Sequence, residues 1–572
     1  MLKLTELLPE CRRRILMEKY VDPETPIKYK DKDGNEHTVK YVTAIEYGYE
    51  PPGEYKEFEH PAYKAALKLK GDKEKKTKKN VNIFNTPHKD DKKKEPVKRV
   101  DNKKEKGAIK VMGDLVKGSK FEGKTFIAGG YVRDMQMGIP SKDVDITVEL
   151  PNGGIEFAKY ITKKLNIYKK GSNPVIYPTF GTAKFNLRGV KYKGMDLSDV
   201  EIESVMTRQE KYTKGSRKPQ VEPGTLKQDV DRRDFTINSL LQDLSTGEIK
   251  DLTGMGKNDI RMGLVRTPLN PDVIFDEDPL RMLRAIRFAT KYEWDLPMFM
   301  LKSMRKNADK LDNISKERIR DELNKMLVTK NPASAIRIMK ATKLLNHVIP
   351  ELQQMVGMKQ GKHHKWDGFK HSLAVLNSVP PKLTKRLGAL LHDIGKPATK
   401  EVIDNEIHFY THEKVGADIA RDLMTRLKYP KKIIEPVTTA IRHHMRLKRY
   451  GNNPDEITDK ALRKLKRQLG DHLEDVLDVI HADNISHADA SNMPDQIWNI
   501  RGRLKDLDKG QGGKVVPPIT GKDVINNFKI KPGPIVGKIL KKVQDAMDEN
   551  PALTKSQALS IADKEFKRLK ND

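Results

Sequence analysis

The chain has 572 residues, with 110 Lys and Arg against 80 Asp and Glu, for a formal net charge of +30 at pH 7. That length exceeds what one compact core serves, so several domains are expected, and the cationic excess favours a polyphosphate partner such as nucleic acid without choosing RNA over DNA. Cys11 is the single cysteine, which excludes an intramolecular disulfide and a cysteine-rich zinc cluster and fits a reducing cytoplasm.

The opening segment MLKLTELLPECRRRILMEKY is interrupted by Glu6, Glu10 and Glu18, so it reads as an amphipathic helix, neither a signal peptide nor a membrane span. Residues 1–69 form a small N-terminal unit in which two β-prone runs, Ile27–Lys30 and Val39–Ile45, flank a turn at Asp33 and Gly34. Residues 70–107 carry KGDKEKKTKKN and DKKKEPVKRVDNKKEK, too poor in apolar side chains to offset chain entropy, and read as a Lys-rich linker. Residues 108–265 alternate strand-like and helix-like patterns, whereas apolar spacing near 3.6 dominates from residue 279 onward. The pattern predicts an α/β head on a mostly helical body.

Thr125–Ala128 reads as a buried strand, Gly129 and Gly130 as a turn, and Tyr131–Met137 as a helix ended by Gly138. Adjacent glycines let backbone N–H groups approach a phosphate at a helix start, and Arg133 in the first turn adds a forked cationic donor. In Ser141–Val148 the apolar residues alternate, which puts Asp143 and Asp145 on one strand face while Val144, Ile146 and Val148 face the core. Two carboxylates in one small space are costly without a cation, and hard oxygen ligands suit Mg²⁺. A third carboxylate completes a two-metal arrangement; the strand-like run Val200–Val205 offers Glu201 and Glu203 on one face, and alternation does not separate them. In Arg232–Asn238, Asp234 and Asn238 are spaced to share a helix face and hydrogen-bond a sugar, with Arg232 and Arg233 placed to meet phosphate. Taken singly, these are an ordinary tight turn, a surface acidic pair and a capped helix start; their succession points to nucleotide chemistry.

The run FIAGGYVRD at Phe126–Asp134, followed by DVD at Asp143–Asp145, resembles the signature of polymerase-β-type nucleotidyltransferases, specifically the bacterial-type CCA-adding enzymes and their poly(A) polymerase relatives. Ser216–Pro219, Gly224–Leu226 and RRDFTIN at Arg232–Asn238 are similar to that family in the same order, so the match spans about residues 108–330. The resemblance implies that Asp143 and Asp145 bind catalytic metals and that Glu203, by its spacing to Arg208, is the third carboxylate, although Ser204–Thr207 departs from the family's usual wording. It also implies a nucleotide site made by Gly129, Gly130, Arg133, Arg232, Arg233, Asp234 and Asn238.

Phe275–Arg281 opens a further helix, with Asp278 as N-cap and Pro279 in the first helical position. Asp278 and Arg281, three apart, set an acceptor beside a donor fork on one side of the first turn, a pattern able to pair with a base edge; capping alone also accounts for the Asp. By the resemblance, both recognise the base of CTP and then ATP, and Arg284 and Arg287 continue that helix toward phosphate or RNA. Ser315–Ile319 and Glu322 are assigned a packing or positioning role in a helical neck over residues 266–359.

His371, His392-Asp393, His412, His443-His444 and Asp483 are spread over helical segments, and LLHDIGK at Leu390–Lys396 resembles the HD-domain signature of metal-dependent phosphohydrolases, covering about residues 360–490. An isolated His-Asp pair is more often a buried hydrogen-bonded couple; the ordered set favours ligation. The resemblance implies His371, His392, Asp393, His412, His444 and Asp483 as ligands, His444 being preferred to His443 on spacing, for Mn²⁺, Ni²⁺, Fe²⁺ or Mg²⁺. Residues 491–572 read as a basic C-terminal helical tail with a turn at Lys531–Pro534. The expected fold is α+β: a polymerase-β-type head on a mostly α-helical body that includes an HD domain. The expected activity is template-independent, metal-dependent transfer from CTP and ATP onto the 3′ end of tRNA, in the cytoplasm and away from membranes, with an HD phosphohydrolase activity beside it. The rivals are a poly(A) polymerase, an HD phosphohydrolase or cyclic phosphodiesterase whose head only binds RNA, and a non-enzymatic RNA-binding protein.

Overall fold

The computed structural model describes residues 26–30, 36–40 and 102–571, the last span with interruptions at 142, 171, 212–219, 362–365, 452–455, 489–492, 510–517 and 551. The chain divides into two units, Met1–Lys103 and Lys104–Asp572. Cys11, the expected opening helix, most of the Lys-rich stretch and Ser216–Pro219 lie outside the described residues.

In the first unit, β1 (Pro26–Lys30) pairs antiparallel with β2 (Glu36–Lys40), Pro26 opposite Lys40 and Lys30 opposite Glu36. The second strand therefore begins before Val39, where the apolar run was expected to start it. Once a hairpin register is set by its turn, residues next to the turn pair whatever their polarity. Residues 41–45 lie outside the described residues.

Helix α1 (Lys103–Val116) belongs from Lys104 onward to the second unit, and its Ala108, Met112 and Val116 recur on one face and are fully buried. That stripe carries the helix back to Lys103, into residues expected as linker. There follow β3 (Thr125–Ala128), α2 (Gly130–Gln136), β4 (Val144–Val148), α3 (Gly153–Lys164), β5 (Val175–Tyr177), β6 (Thr182–Asn186), a short hairpin of β7 (Lys191–Tyr192) and β8 (Met195–Asp196), then β9 (Glu201–Met206). A second hairpin, β10 (Arg208–Lys211) and β11 (Gln220–Pro223), leads to α4 (Leu226–Asp231), β12 (Leu241–Asp243) and β13 (Ile249–Lys250).

Seven of these strands form one mixed sheet, in the order β13-β12-β3-β4-β9-β6-β5. β4 and β9 run parallel; the other neighbours are antiparallel. Residues opposite one another share a face, so the register generates rows. One row is Asp145, Glu203, Lys184 and Val175; two positions along the strands lies Thr147, Val205, Thr182 and Tyr177. Between them, on the other face, Ile146, Ser204 and Ala183 are buried. There α3 presses so closely that a Cβ on Gly154 would lie 2.5 Å from the carbonyl oxygens of Gly181 and Ser204, and Ser204 Oγ donates to Gly154 O at 2.7 Å.

The body is helical: α5 (Gly256–Met262), α6 (Pro271–Glu277), α7 (Leu280–Tyr292), α8 (Met298–Lys306), α9 (Lys316–Leu327), α10 (Pro332–Ala341), α11 (Gly368–Ser378) and α12 (Leu383–Leu391) precede a small hairpin, β14 (Glu401–Ile403) with β15 (Glu406–His408). Beyond it come α13 (His412–Arg426), α14 (Lys431–His443), α15 (Asp459–Leu469), α16 (Leu473–Ile485), α17 (Gln496–Lys509), α18 (Gly521–Phe528), α19 (Pro534–Glu549) and α20 (Lys555–Asn571). The last three enclose a core of their own from Ile519, Val524, Val536, Ile539, Val543, Ala558 and Ala562, and Arg467 of α15 pairs with Asp548 of α19 at 2.6 Å. The basic C-terminal region is thus a packed helical unit. Among the described residues no helix is long and apolar enough to cross a membrane.

Gly154→Ala should force α3 off β6 and β9 and cost about 1–3 kcal/mol, the usual penalty of overpacking. The check is a lowered urea midpoint for the head; an unchanged midpoint contradicts the close approach described above.

Candidate active site and candidate metal centre

The sheet face opposite α3 floors a cleft of about 890 Å³. Asp145 and Glu203 stand across from each other on the parallel strands, and Lys184 Nζ lies 2.9 Å from Glu203 and 3.7 Å from Glu201. Glu203 lines the cleft and Glu201 does not, a distinction that alternation alone left open. Asp143 is exposed just ahead of β4 and outside the lining, yet its charge acts on Asp145. The cleft walls withhold hydration from Asp145 although its tip stays open to solvent. That burial first, then repulsion from Glu203 and Asp143, pushes its carboxyl up to about 6 against the pull of Arg233 and Lys184. Carboxylates crowded in this way fit a divalent cation, which relieves their repulsion.

Gly129, with φ 69 and ψ −129, adopts a conformation suited to glycine and places Gly130 at the start of α2; both line the cleft. Arg133 is buried, and its guanidinium donates to Asp134 Oδ1 at 2.8 and 2.7 Å and to Asn238 Oδ1 at 2.6 Å. It also lies 5.1 Å from the Phe288 ring and 5.4 Å from the Tyr292 ring.

The RRDFTIN block is not the helix face that its spacing suggested. α4 ends at Asp231, the chain turns, and only Thr236–Asn238 forms a short 3-10 turn. The cause lies upstream: Asp229, fully buried, draws Arg232 (2.5 Å) and Arg233 (2.9 Å) back over α4. Asp234 and Asn238 still meet, through Asn238 Nδ2 donating to Asp234 Oδ1 at 2.9 Å. Arg232 and Arg233 therefore line the cleft as an ion-paired wall, with Arg233 also reaching Thr147 Oγ1 at 3.3 Å. Sequence reasoning missed Asp229, whose position four before Arg233 was the available signal, and Lys184, whose strand position gave one only once the register was known.

α7 begins at Leu280 with Pro279 as its N-cap, so Asp278, expected as the cap, stands one residue before it and accepts from the Leu280 N–H at 3.1 Å. Its other oxygen accepts from Arg318 at 2.8 Å. Arg281 donates instead to Glu277 Oε2 at 2.8 Å and to the Arg232 carbonyl at 2.9 Å. Both residues line the cleft, but each is oriented by its own partner rather than by the other. Arg284 donates to Asp234 Oδ2 at 3.0 and 2.5 Å, and Arg287 pairs with Glu322 at 2.6 Å. These two arginines, expected to run toward phosphate or RNA, are drawn inward because an enclosed carboxylate demands a cation. Arg284 lines the cleft; Arg287 is absent from the lining.

In the helical body His371, His392, Asp393, His412, His444 and Asp483 converge, all buried. His392, His412 and His444 each hold Nδ1 at 2.8, 2.7 and 2.7 Å from the carbonyls of Ala389, Phe409 and Ile441. A carbonyl only accepts, so each Nδ1 carries a hydrogen and each Nε2 is turned inward, where the neutral ring offers a lone pair to a metal. The Nε2 atoms of His412 and His444 face each other at 3.2 Å. Asp393 belongs to two ligand groups, His371–His392–Asp393 and Asp393–His412–His444, and His371 Nε2 is 3.0 Å from Asp483. His392 Nε2 lies 3.2 Å from Asp393 Oδ2 in this buried cluster. Burial above all pushes His444 down to about 4, keeping it neutral. Burial would raise Asp393 and Asp483, but His392 with Lys396, and Lys448 with His371, hold them well below the usual carboxylate range. Four imidazoles and two ionised carboxylates fit a divalent transition ion. His444, rather than His443, enters the cluster. Lys396 (2.7 Å from Asp393) and Lys448 (2.8 Å from Asp483) had no assigned part in the sequence reading.

Three family descriptions match the chain in order: the Poly A polymerase head domain over residues 125–266, the probable RNA and SrmB-binding site of polymerase A over 300–355, and the HD domain over 369–486. A CC-adding tRNA nucleotidyltransferase of Thermus thermophilus is 30% identical over 348 residues, 59% of this chain and 76% of that protein. The chain belongs to the tRNA nucleotidyltransferase family. Relatives in Schizosaccharomyces pombe (tRNA nucleotidyltransferase cca2; 74% of this chain, 87% of that protein) and Neisseria meningitidis (Multifunctional CCA protein; 60% and 77%) are each 28% identical. The tRNA nucleotidyltransferase fold also matches the Bacillus stearothermophilus CCA-adding enzyme in complex with CTP, with TM-score 0.56 and 20% identity over 82% of this chain and 100% of that one. The Thermotoga maritima CCA-adding enzyme complexed with tRNA gives 0.52 and 19% over 83% and 97%.

For this tRNA nucleotidyltransferase a stability consequence follows from Asp145. A carboxyl raised to about 6 in the fold destabilises the metal-free protein above that pH, because the unfolded chain ionises it more easily. The cost fades as pH falls and is gone below the ordinary carboxylate pKa of about 4. Asp145→Asn should therefore raise the metal-free melting temperature at pH 7.5 and leave it unchanged below about pH 4. A gain of equal size at both pH values contradicts the cause given.

Proposed function

We propose that the chain transfers CMP and AMP from CTP and ATP, without a template, to the 3′ end of tRNA and so completes its CCA terminus in the cytoplasm. The observation that carries this reading is the pairing of Asp145 with Glu203 across parallel strands, at the floor of a cleft walled by paired arginines. The names of the relatives, a CC-adding tRNA nucleotidyltransferase and a Multifunctional CCA protein, support the choice of acceptor over a poly(A) tail.

Asp143, Asp145 and Glu203 would hold Mg²⁺, which supplies activation of the attacking hydroxyl and neutralisation of triphosphate charge. The chain's own residues do the rest by position. The Gly129-Gly130 turn admits a triphosphate close to the backbone, Arg133, Arg232 and Arg233 offset its charge from the wall, and the Asp234–Asn238 couple meets the ribose. Asp278 and Arg281, each fixed by a protein partner, hold the base edge, with Arg284 behind them. The 3′ oxygen then attacks the α-phosphorus, and pyrophosphate departs, in a site whose dipoles need no rearrangement. In the HD domain, five converging ligands, with Asp483 hydrogen-bonded to His371 beside them, support hydrolysis of a phosphoester such as a 2′,3′-cyclic phosphate with Mn²⁺, Ni²⁺, Fe²⁺ or Mg²⁺. The Thermus relative's name makes addition of CC without the final A the second reading.

The test is incorporation of labelled CTP and ATP into tRNA trimmed of its terminus, with Mg²⁺ present. Ordered addition of C, C and A is expected; C without A selects the second reading, and repeated A without C rejects both. Asp143→Ala with Asp145→Ala should lower incorporation by about 10³-fold or more. His392→Ala with Asp393→Ala should abolish cyclic-phosphate hydrolysis and leave incorporation within about twofold, as independent sites require. Loss of incorporation in the HD variant would show that the two centres are not separate.

A further inference from the structure

β5 closes one edge of the seven-stranded sheet, and it is unusually bare. Val175 and Tyr177, on the carboxylate face, are 55% and 45% exposed, and Phe180 just beyond is 47% exposed, while Ile176 belongs to the other face. Scattered surface apolar residues need no explanation, but a contiguous group does. This group continues a site already described: Tyr177 and Phe180 line the same cleft as Asp145 and Glu203. Tyr177 ends the row Thr147, Val205, Thr182, so its ring stands on the carboxylate face of the sheet.

Phe180 is held in place. It ends the short turn Pro178–Phe180, and Gly181 follows with φ 57, where a Cβ would come within 2.6 Å of Met206 Sδ. The guanidinium of Arg208, also in the cleft lining, lies 6.0 Å from the Phe180 ring. The strand order gives the two ends of the cleft different chemistry. The glycine turn that follows β3, with Arg233 above Thr147, makes one end rich in phosphate-compatible groups; β5 makes the other end aromatic; the carboxylates on β4 and β9 lie between.

We infer that Tyr177 and Phe180, with Arg208 beside them, form the platform on which the 3′-terminal bases of the acceptor RNA stack. The inference rests on the nucleotidyl-transfer reading of the cleft: if the nucleotide occupies the arginine end, the attacking hydroxyl reaches the carboxylates from the β5 end. Stacking suits this acceptor, because every base has a π-face and the terminal base changes after each addition. Arg208 supplies a cation for the backbone phosphate between stacked bases.

The experiment uses the full chain and a trimmed tRNA carrying 2-aminopurine as its terminal base, whose fluorescence is quenched by stacking. The wild-type protein should quench it. Tyr177→Leu and Phe180→Leu, which keep bulk but lose the rings, should relieve quenching and weaken tRNA binding by about tenfold each. Tyr177→Phe and Phe180→Tyr should restore both, and KM for CTP should stay within about twofold in all four variants. Full quenching by the leucine variants overturns the inference and leaves the patch to a protein occupant. A raised KM for CTP with unchanged tRNA affinity also overturns it, assigning the rings to the nucleotide. If the wild type incorporates CTP yet quenching is indifferent to the rings, the platform alone fails; if it incorporates no nucleotide into any RNA, the transferase reading fails and takes the platform with it.

Discussion

A largely enclosed run of alternating charges joins the head to the helical body, and the cleft depends on it. Asp134 holds Arg133, Arg133 donates to Asn238, Asn238 donates to Asp234, Asp234 holds Arg284, and Glu322 of α9 holds Arg287 one turn further along α7. Arg133 lies against Phe288 and Tyr292 of the same helix, and the Tyr292 hydroxyl donates back to Asp134 at 3.3 Å. No charge in this run is removable without stranding its partner in a poorly hydrated place, at a cost of about 3–5 kcal/mol when such a pair is fully buried. The run thus fixes where α7 stands relative to the carboxylates of β4 and β9. Asp278 and Arg281 take their place in the cleft from that constraint.

The two centres treat their carboxylates in opposite ways. In the head, burial first and then the like charges of Glu203 and Asp143 push Asp145 up, so the fold itself bears an electrostatic cost until a cation arrives. In the HD domain, Lys396, Lys448 and the histidines hold Asp393 and Asp483 ionised in a buried interior. The first arrangement keeps an open, solvated mouth that admits a large substrate; the second encloses its donors and presets imidazole tautomers through backbone carbonyls. Both are routes to a site that welcomes divalent ions, one through desolvation and repulsion and the other through ring nitrogens oriented by backbone carbonyls.

What was legible in the sequence follows from the range of the forces involved. Strand alternation is local, so the core face of Val144, Ile146 and Val148 was readable, and so was the shared face of Glu201 and Glu203. Choosing between those glutamates required the register of β9 against β4, which no local pattern contains. The HD ligands were readable because their residue types are rare in apolar helices, while Lys396 and Lys448 look like any surface lysine until the carboxylates they neutralise are located. RRDFTIN was misread as a helix because a buried acid upstream, Asp229, outweighs the spacing of the block itself. Arg284 and Arg287 were expected to run toward phosphate or RNA because the reading counted their charge without the acids of α9 and of the Asp234 turn. The start of α1 was lost for the converse reason: four charged residues hid the beginning of a buried stripe.

The contact of Gly154 with Ser204 on the back of the sheet has a meaning for its front. Ser204 and Glu203 are neighbours on β9, so a slip of one position against β4 would send the serine into the cleft and drive the glutamate beneath α3. A molecule assembled in that way would be strained and inert together. The same strand position therefore sets both the packing behind the sheet and the carboxylate in front of it.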